Sequence, residues 1–147
     1  SKCIAADPEW FWDGADCLEV GVDPVFNRGE QRGYTDNDVH YWMCPVVKEN
    51  RYYVGRWGHD GRTTLHDADL KGVVKTALKK GERGYTVEVF IPASELKGWS
   101  PKPGAKIGFA TTLVLQDKFM TDELAWPIIR KAGPFNTPGK WGEVTLR

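Results

Sequence analysis

The stretch Trp12-Asp13-Gly14-Ala15-Asp16-Cys17-Leu18-Glu19-Val20-Gly21-Val22-Asp23 decides the fold. A Trp and a tight Asp-Gly turn lead into residues that alternate strictly. Leu18, Val20 and Val22 fall on one side; Cys17, Glu19, Gly21 and Asp23 fall on the other. Apolar side chains at every second residue mark a strand buried on one face only. The spacing therefore predicts one face packed on a core and a second face left free beside Trp12. An aromatic ring next to a carboxylate on such a face suits a ligand, and it suits an ordinary sandwich corner equally well.

The same period recurs downstream. Val39 to Val47 alternates, with Val39, Tyr41 and Met43 on one side and His40, Trp42 and Cys44 on the other. Pro45 is expected to end this strand or to place it at a sheet edge, because proline cannot donate to a ladder. Glu49-Asn50 reads as a hairpin turn into a strand from Arg51 to Trp57. Residues 58–71 read as a polar loop with one short turn at Asp67 to Leu70. Val73 to Leu78 reads as a strand, followed by a charged turn. Tyr85 to Ile91 sends Tyr85, Val87, Val89 and Ile91 inward and Thr86, Glu88 and Phe90 outward. Pro92 stops it and opens a single helical turn. Ile107 to Gln116 is a strong strand, residues 117–139 read as mostly loop, and Lys140 to Leu146 closes the chain. No stretch carries a long 3.6-residue period, and no internal repeat is present. Seven or so short strands between Gly/Pro turns predict an all-β antiparallel sandwich, jelly-roll or immunoglobulin-like, as one domain over residues 1–147.

Composition narrows the partners. Lys+Arg and Asp+Glu number 20 each, so the formal net charge is zero, against the basic face that a nucleic-acid protein needs. No long apolar run or signal-peptide pattern points to a membrane segment. Seven Trp in 147 residues is a high count, and Trp settles either in a core or on a ligand surface. Cys3, Cys17 and Cys44 lack the close pairing of zinc ligands. One disulfide with a Cys left over and three buried thiols both fit the count. Cys17 and Cys44 lie in predicted strands, so a bridge between them requires those strands to be close.

Three segments together resemble the family-9 carbohydrate-binding module and its wider DOMON-like relatives. The first is Trp12-Asp13-Gly14 running into Asp16-Cys17-Leu18-Glu19-Val20. The second is Gly84-Tyr85-Thr86-Val87-Glu88-Val89-Phe90-Ile91-Pro92, then Pro103-Gly104 and Ile107-Gly108-Phe109. The third is Trp126, then Gly133-Pro134-Phe135 and Trp141-Gly142-Glu143-Val144-Thr145-Leu146. Members of that family usually carry two or three more strands before the Trp-Asp-Gly segment. The resemblance thus implies a piece of a larger chain, or a sandwich that other domains or chains complete. Ala15 also adds a residue between the usual turn and the strand.

The resemblance implies non-catalytic glycan binding in a slot between two Trp, by an accessory module of a secreted polysaccharide-acting protein. Aromatic plates cover the C–H face of a sugar, and carboxylates and amides take its hydroxyls. By motif position Trp12 and Trp126 are the candidate plates, with Glu19 and Gln116 as polar floor. A core lid is the plainer reading of a Trp before a strand. Trp141 is assigned to the core. Trp42, Tyr53 and Trp57 form either an aromatic strip on the outer sheet face or ordinary cross-strand packing.

The resemblance also implies structural calcium. Asp36-Asn37-Asp38 and Asp67-Ala68-Asp69 supply closely spaced oxygens, Asp36 and Asp38 being the candidate ligands, yet neither completes a loop such as the EF-hand. Solvated turns are the plainer reading. For hydrolysis, Glu19 and Glu88 would have to share a cleft. His40, His59 and His66 have no nucleophile motif beside them. The DOMON relatives suggest a haem-binding alternative, with Met43 and His66 as nominal ligands. A structural or assembly sandwich without any ligand is the third reading.

Overall fold

The computed structural model describes residues 16–27, 34–46, 49–57, 64–82, 84–116, 121–128 and 137–147. Its strands are β1 (Cys17–Asp23), β2 (Val39–Val46), β3 (Arg51–Trp57), β4 (Thr64–Leu65), β5 (Lys75–Lys80), β6 (Tyr85–Phe90), β7 (Lys106–Gln116), β8 (Thr121–Trp126) and β9 (Gly142–Thr145). One helical turn, α1 (Asp67–Leu70), follows β4, and a 3-10 turn (Ala93–Glu95) follows β6. The large sheet runs β4-β3-β2-β1-β7-β8, and β9 pairs with the remaining length of β7; β5 and β6 form a second sheet. All strand pairings are antiparallel. The result is the antiparallel β-sandwich that the alternation implies.

The main core fills the space between the sheets. Val22, Val39, Tyr41, Met43, Tyr52 and Val54 from the large sheet meet Leu70, Val74 and Leu78, with Val87, Val89 and Ile91 packed around them. The two sheets are also tied by polar bonds at the β3 edge. Thr76 Oγ1 accepts from the Tyr52 N–H at 2.9 Å and donates to the Tyr52 carbonyl at 3.2 Å. Asp67 caps the same edge, accepting from the Val54 N–H at 3.1 Å and from Arg51 Nη1 at 2.7 Å. The Arg56 guanidinium bonds Glu95, so the 3-10 turn is held down on β3.

Three sequence expectations are corrected. First, β1 is buried on both faces. Cys17, Glu19, Gly21 and Asp23 are buried, whereas Leu18 and Val20 are only partly so. A second cluster of Cys17, Trp42, Cys44 and Tyr53 covers the face expected to be free. Second, β2 is a central strand rather than an edge, and it runs one residue past Pro45, which is its penultimate residue and lies opposite Tyr52. Tyr52 spends its main-chain groups on Thr76, so the Pro45–Tyr52 pair exchanges no ladder bonds and Pro45 would direct its missing N–H toward β1. β1 begins only at Cys17, one step further along, so Pro45 meets no strand there. Third, residues 121–126 form β8 against β7 rather than loop. Two acidic residues, Asp122 and Glu123, hide the alternation, which an edge strand tolerates.

Candidate functional site

Trp42, His40 and Trp57 reach the second face of the large sheet from neighbouring strands, and glycines make room for them. A side chain at Gly55, opposite Trp42 in the β2–β3 register, would overlap the Trp42 indole. One at Gly21 would come within 2.7 Å of the Trp141 ring. Trp42 and Trp141 are therefore fully buried plates seated on bare backbone. Trp57 is half-buried and lies 4.8 Å from Trp42 between ring centroids, tilted by 41°.

Glu19 and His40 sit among these rings. Gly21 is opposite His40 and Glu19 opposite Trp42, so the carboxylate and the imidazole are diagonal neighbours on β1 and β2. His40 Nε2 lies 3.3 Å from Glu19 Oε2, and the two residues are only 4% and 7% exposed. The other ring nitrogen, Nδ1, is 3.0 Å from the Tyr34 hydroxyl. Tyr34 lies parallel to the His40 ring at 6.3 Å and edge-on to Trp141 at 6.1 Å. Trp57, opposite His40 in the β2–β3 register, lies 6.5 Å from it between ring centroids. Burial holds the His40 imidazole below its ordinary pKa, with Glu19 opposing the shift, and burial raises the Tyr34 phenol. The strip thus offers a neutral imidazole and a carboxylate between two half-buried aromatic rings, Tyr34 and Trp57. Glu19 and His40 are themselves buried, so the part-exposed rings of Tyr34 and Trp57 are the surfaces of this set that can cover the C–H face of a neutral, hydroxyl-rich ligand.

The candidates from sequence divide across the molecule. Trp12 lies outside the described residues, as does the side chain of Gln116 at the end of β7. Glu19 stands on the second face. Trp126 does not join it there. Its partner on β7 is Thr111, which pairs with Val20, whereas Glu19 pairs with Thr112. Residues opposite one another share a face, so Trp126 belongs to the Val20 side. It packs over Gly142 and at 6.1 Å from Phe109, and is 47% exposed beside the exposed Leu124 and Ile128.

Asp36 and Asp38 are likewise spent separately. Asp36 is exposed, 3.6 Å from the Lys97 ammonium. Asp38 is buried and accepts from the Thr35 N–H at 2.6 Å, closing the turn that starts β2. Calcium takes six to eight oxygens, and the described contacts of Asp36 and Asp38 are to a lysine and a main-chain N–H. Among the described residues no three metal-ligating side chains converge. Met43 lies in the main core, while His66 meets the edge of Trp42 on the second face, so the pair nominated for haem lies on opposite sides of the sheet. Glu88 is exposed on β6, whose inward residues Val87 and Val89 face the core. The core separates it from Glu19, and the two carboxylates cannot act on one bond.

Tyr34 and the coupling of His40 to Glu19 carry no signal in the sequence. The loop before β2 places Tyr34, and only the β1–β2 register makes residues 19 and 40 neighbours. The sequence signal that does exist is the recurrence of aromatic residues on the second face, at Trp42 and Trp57.

The family described as carbohydrate family 9 binding domain-like matches residues 3–147. Two solved structures share the fold, each a carbohydrate-binding module of family 9 from Caldicellulosiruptor kristjanssonii, one in complex with glucose and one with cellotriose. Both superpose with a TM-score of 0.63 at 20% identity. The glucose complex covers 99% of this chain, which spans 64% of its length; for the cellotriose complex the shares are 98% and 63%. Comparison with curated protein sequences gives no significant match.

Proposed function

The chain belongs to the carbohydrate family 9 binding domain-like family, and on that premise we propose that it binds a glycan without catalysis, through the aromatic and polar strip on the second face of its large sheet. One observation carries the reading. Two half-buried rings, Tyr34 and Trp57, flank the buried Glu19–His40 pair on one sheet face. The solved relatives in complex with glucose and cellotriose make β-glucans the first ligands to test. Trp12, a candidate plate by motif position, lies outside the described residues. Trp126 is a separate exposed plate on the opposite face.

The role is that of an accessory module in a secreted polysaccharide-acting protein. The chain spans less than two thirds of the length of the solved relatives it matches. The family relation supports binding rather than hydrolysis, and Glu19 and Glu88, the carboxylates weighed for hydrolysis, lie on opposite sides of the core.

Titration calorimetry with glucose, cellobiose and cellotriose tests the proposal on the chain and on Trp57→Ala, Glu19→Gln and Trp126→Ala. Each variant is checked for folding by near-ultraviolet circular dichroism. Loss of a stacking ring is expected to weaken binding by about tenfold or more, from roughly 1–2 kcal/mol of lost contact. Weakening in Trp57→Ala and Glu19→Gln supports the second-face site. Weakening in Trp126→Ala alone moves the site to the β8 edge. No heat with any sugar on folded protein refutes glycan binding.

A further inference from the structure

We propose that Cys17 and Cys44 form a cross-strand disulfide that staples β1 to β2 beside the Glu19–His40 pair. The register Leu18↔Met43, continued by one residue, places Cys17 opposite Cys44. The two thiols are in hydrogen-bonding contact, and both residues are buried in the cluster with Trp42 and Tyr53.

The main-chain pattern identifies the kind of pair. Tyr52 and Val54 on β3 both turn their N–H groups away from β2, to Thr76 and to Asp67. Alternation then makes Cys44–Tyr53 the pair that exchanges ladder bonds. Cys44 therefore points its main chain at β3, and toward β1 it forms a pair without ladder bonds with Cys17. At such pairs the Cα atoms of antiparallel strands approach to about 4.5 Å, with their side chains close together. Both cysteines are free thiols in this structure, and a disulfide accepts Cα separations of roughly 4.4–6.8 Å, a range that includes this kind of pair.

The chemistry is thiol–disulfide exchange with a small-molecule disulfide. One cysteine, as thiolate, attacks that disulfide and breaks its S–S bond, releasing one thiol and leaving a mixed disulfide. The second cysteine, losing its proton, displaces the second small thiol and forms the Cys17–Cys44 bond. The protein dithiol loses two protons and two electrons in total, and the small disulfide is reduced to two thiols. Burial raises the Cys17 thiol well above its ordinary pKa, so exchange proceeds chiefly as the chain folds, and the finished bond resists reductants.

The test uses the whole chain, both as purified and after refolding from urea with oxidised glutathione. Free thiols are alkylated under denaturing conditions and peptides are mapped by mass spectrometry. The expected result is a linked Cys17–Cys44 peptide in the refolded sample, with Cys3 outside the link. The bond closes a loop of about 28 residues, so reduction should lower Tm by roughly 10 °C. The Cys17→Ala/Cys44→Ala chain should show no reductant-dependent shift, while Cys3→Ser keeps it. Alkylation of both Cys17 and Cys44 after oxidative refolding, or a link from either one to Cys3, overturns the proposal.

Discussion

Gly55 lies under the Trp42 indole, and Gly55→Ala tests the whole architecture of the second face. A methyl group there would occupy the position of the ring carbons. β2 and β3 are hydrogen-bonded neighbours on both sides of this pair, so the backbone has little freedom to recede. Trp42 is 1% exposed and must tilt out of its seat, which also opens its contacts with Trp57 and His66. Full expulsion of a Trp that buries roughly 150–250 Å² would cost about 4–6 kcal/mol at 25 cal/mol per Å². Partial tilting, in line with overpacked cores, leaves roughly 3 kcal/mol. For a domain of this size that lowers Tm by roughly 6–12 °C. The sign is diagnostic, because Ala replaces Gly in a strand at a gain on backbone grounds alone. The assay is urea unfolding followed by tryptophan fluorescence, with near-ultraviolet circular dichroism for the coupled Trp42–Trp57 rings. Gly84→Ala, where an added methyl meets nothing within 4 Å, is the control and should stay within about 0.5 kcal/mol. A Gly55→Ala chain as stable as the control, with an unchanged spectrum, would refute the seating of Trp42 on this glycine.

Other perturbations probe the polar groups. The folded-state pKa of His40 is held below the unfolded value of 6.5 by burial. The unfolded chain therefore binds the extra proton first, and stability falls as pH drops below about 6.5, by up to about 1.4 kcal/mol per pH unit. His40→Gln should flatten the slope of ΔG between pH 6.5 and 5 in urea titrations; an unchanged slope would assign it to other groups. Asp67→Ala removes acceptors from both the Arg51 guanidinium and the Val54 N–H, and is expected to cost roughly 2 kcal/mol by denaturant unfolding. A change under 0.5 kcal/mol would mean that solvent replaces both bonds.

Much of the fold was legible in the alternation. Arg51 to Trp57 forms the expected strand, Asp67 to Leu70 the expected turn, and Val87, Val89 and Ile91 face the core as their spacing requires. Trp141 is buried, as its place in the closing motif implies. The resemblance drawn from the Trp-Asp-Gly, Gly-Tyr-Thr-Val-Glu and Trp-Gly-Glu-Val segments agrees with the family match over residues 3–147. β8 escaped because its acidic residues mask the period, and an edge strand needs only one neighbour.

The candidate site was legible only as a set of residue types. The sequence by itself determined which residues alternate, and hence that Cys17 and Glu19 share one face of β1 while Val20 and Val22 share the other. Tertiary structure decided what covers each face: Trp42, Trp141 and Tyr34 close over the side that the pattern left free. Structure also decided that Glu19 and His40 meet, and that Trp126 falls on the far side of the sheet from Glu19. The physical reason is parity. Period two fixes a side chain's face within its own strand, but the face shared between strands is set by register, and a shift of one residue reverses it.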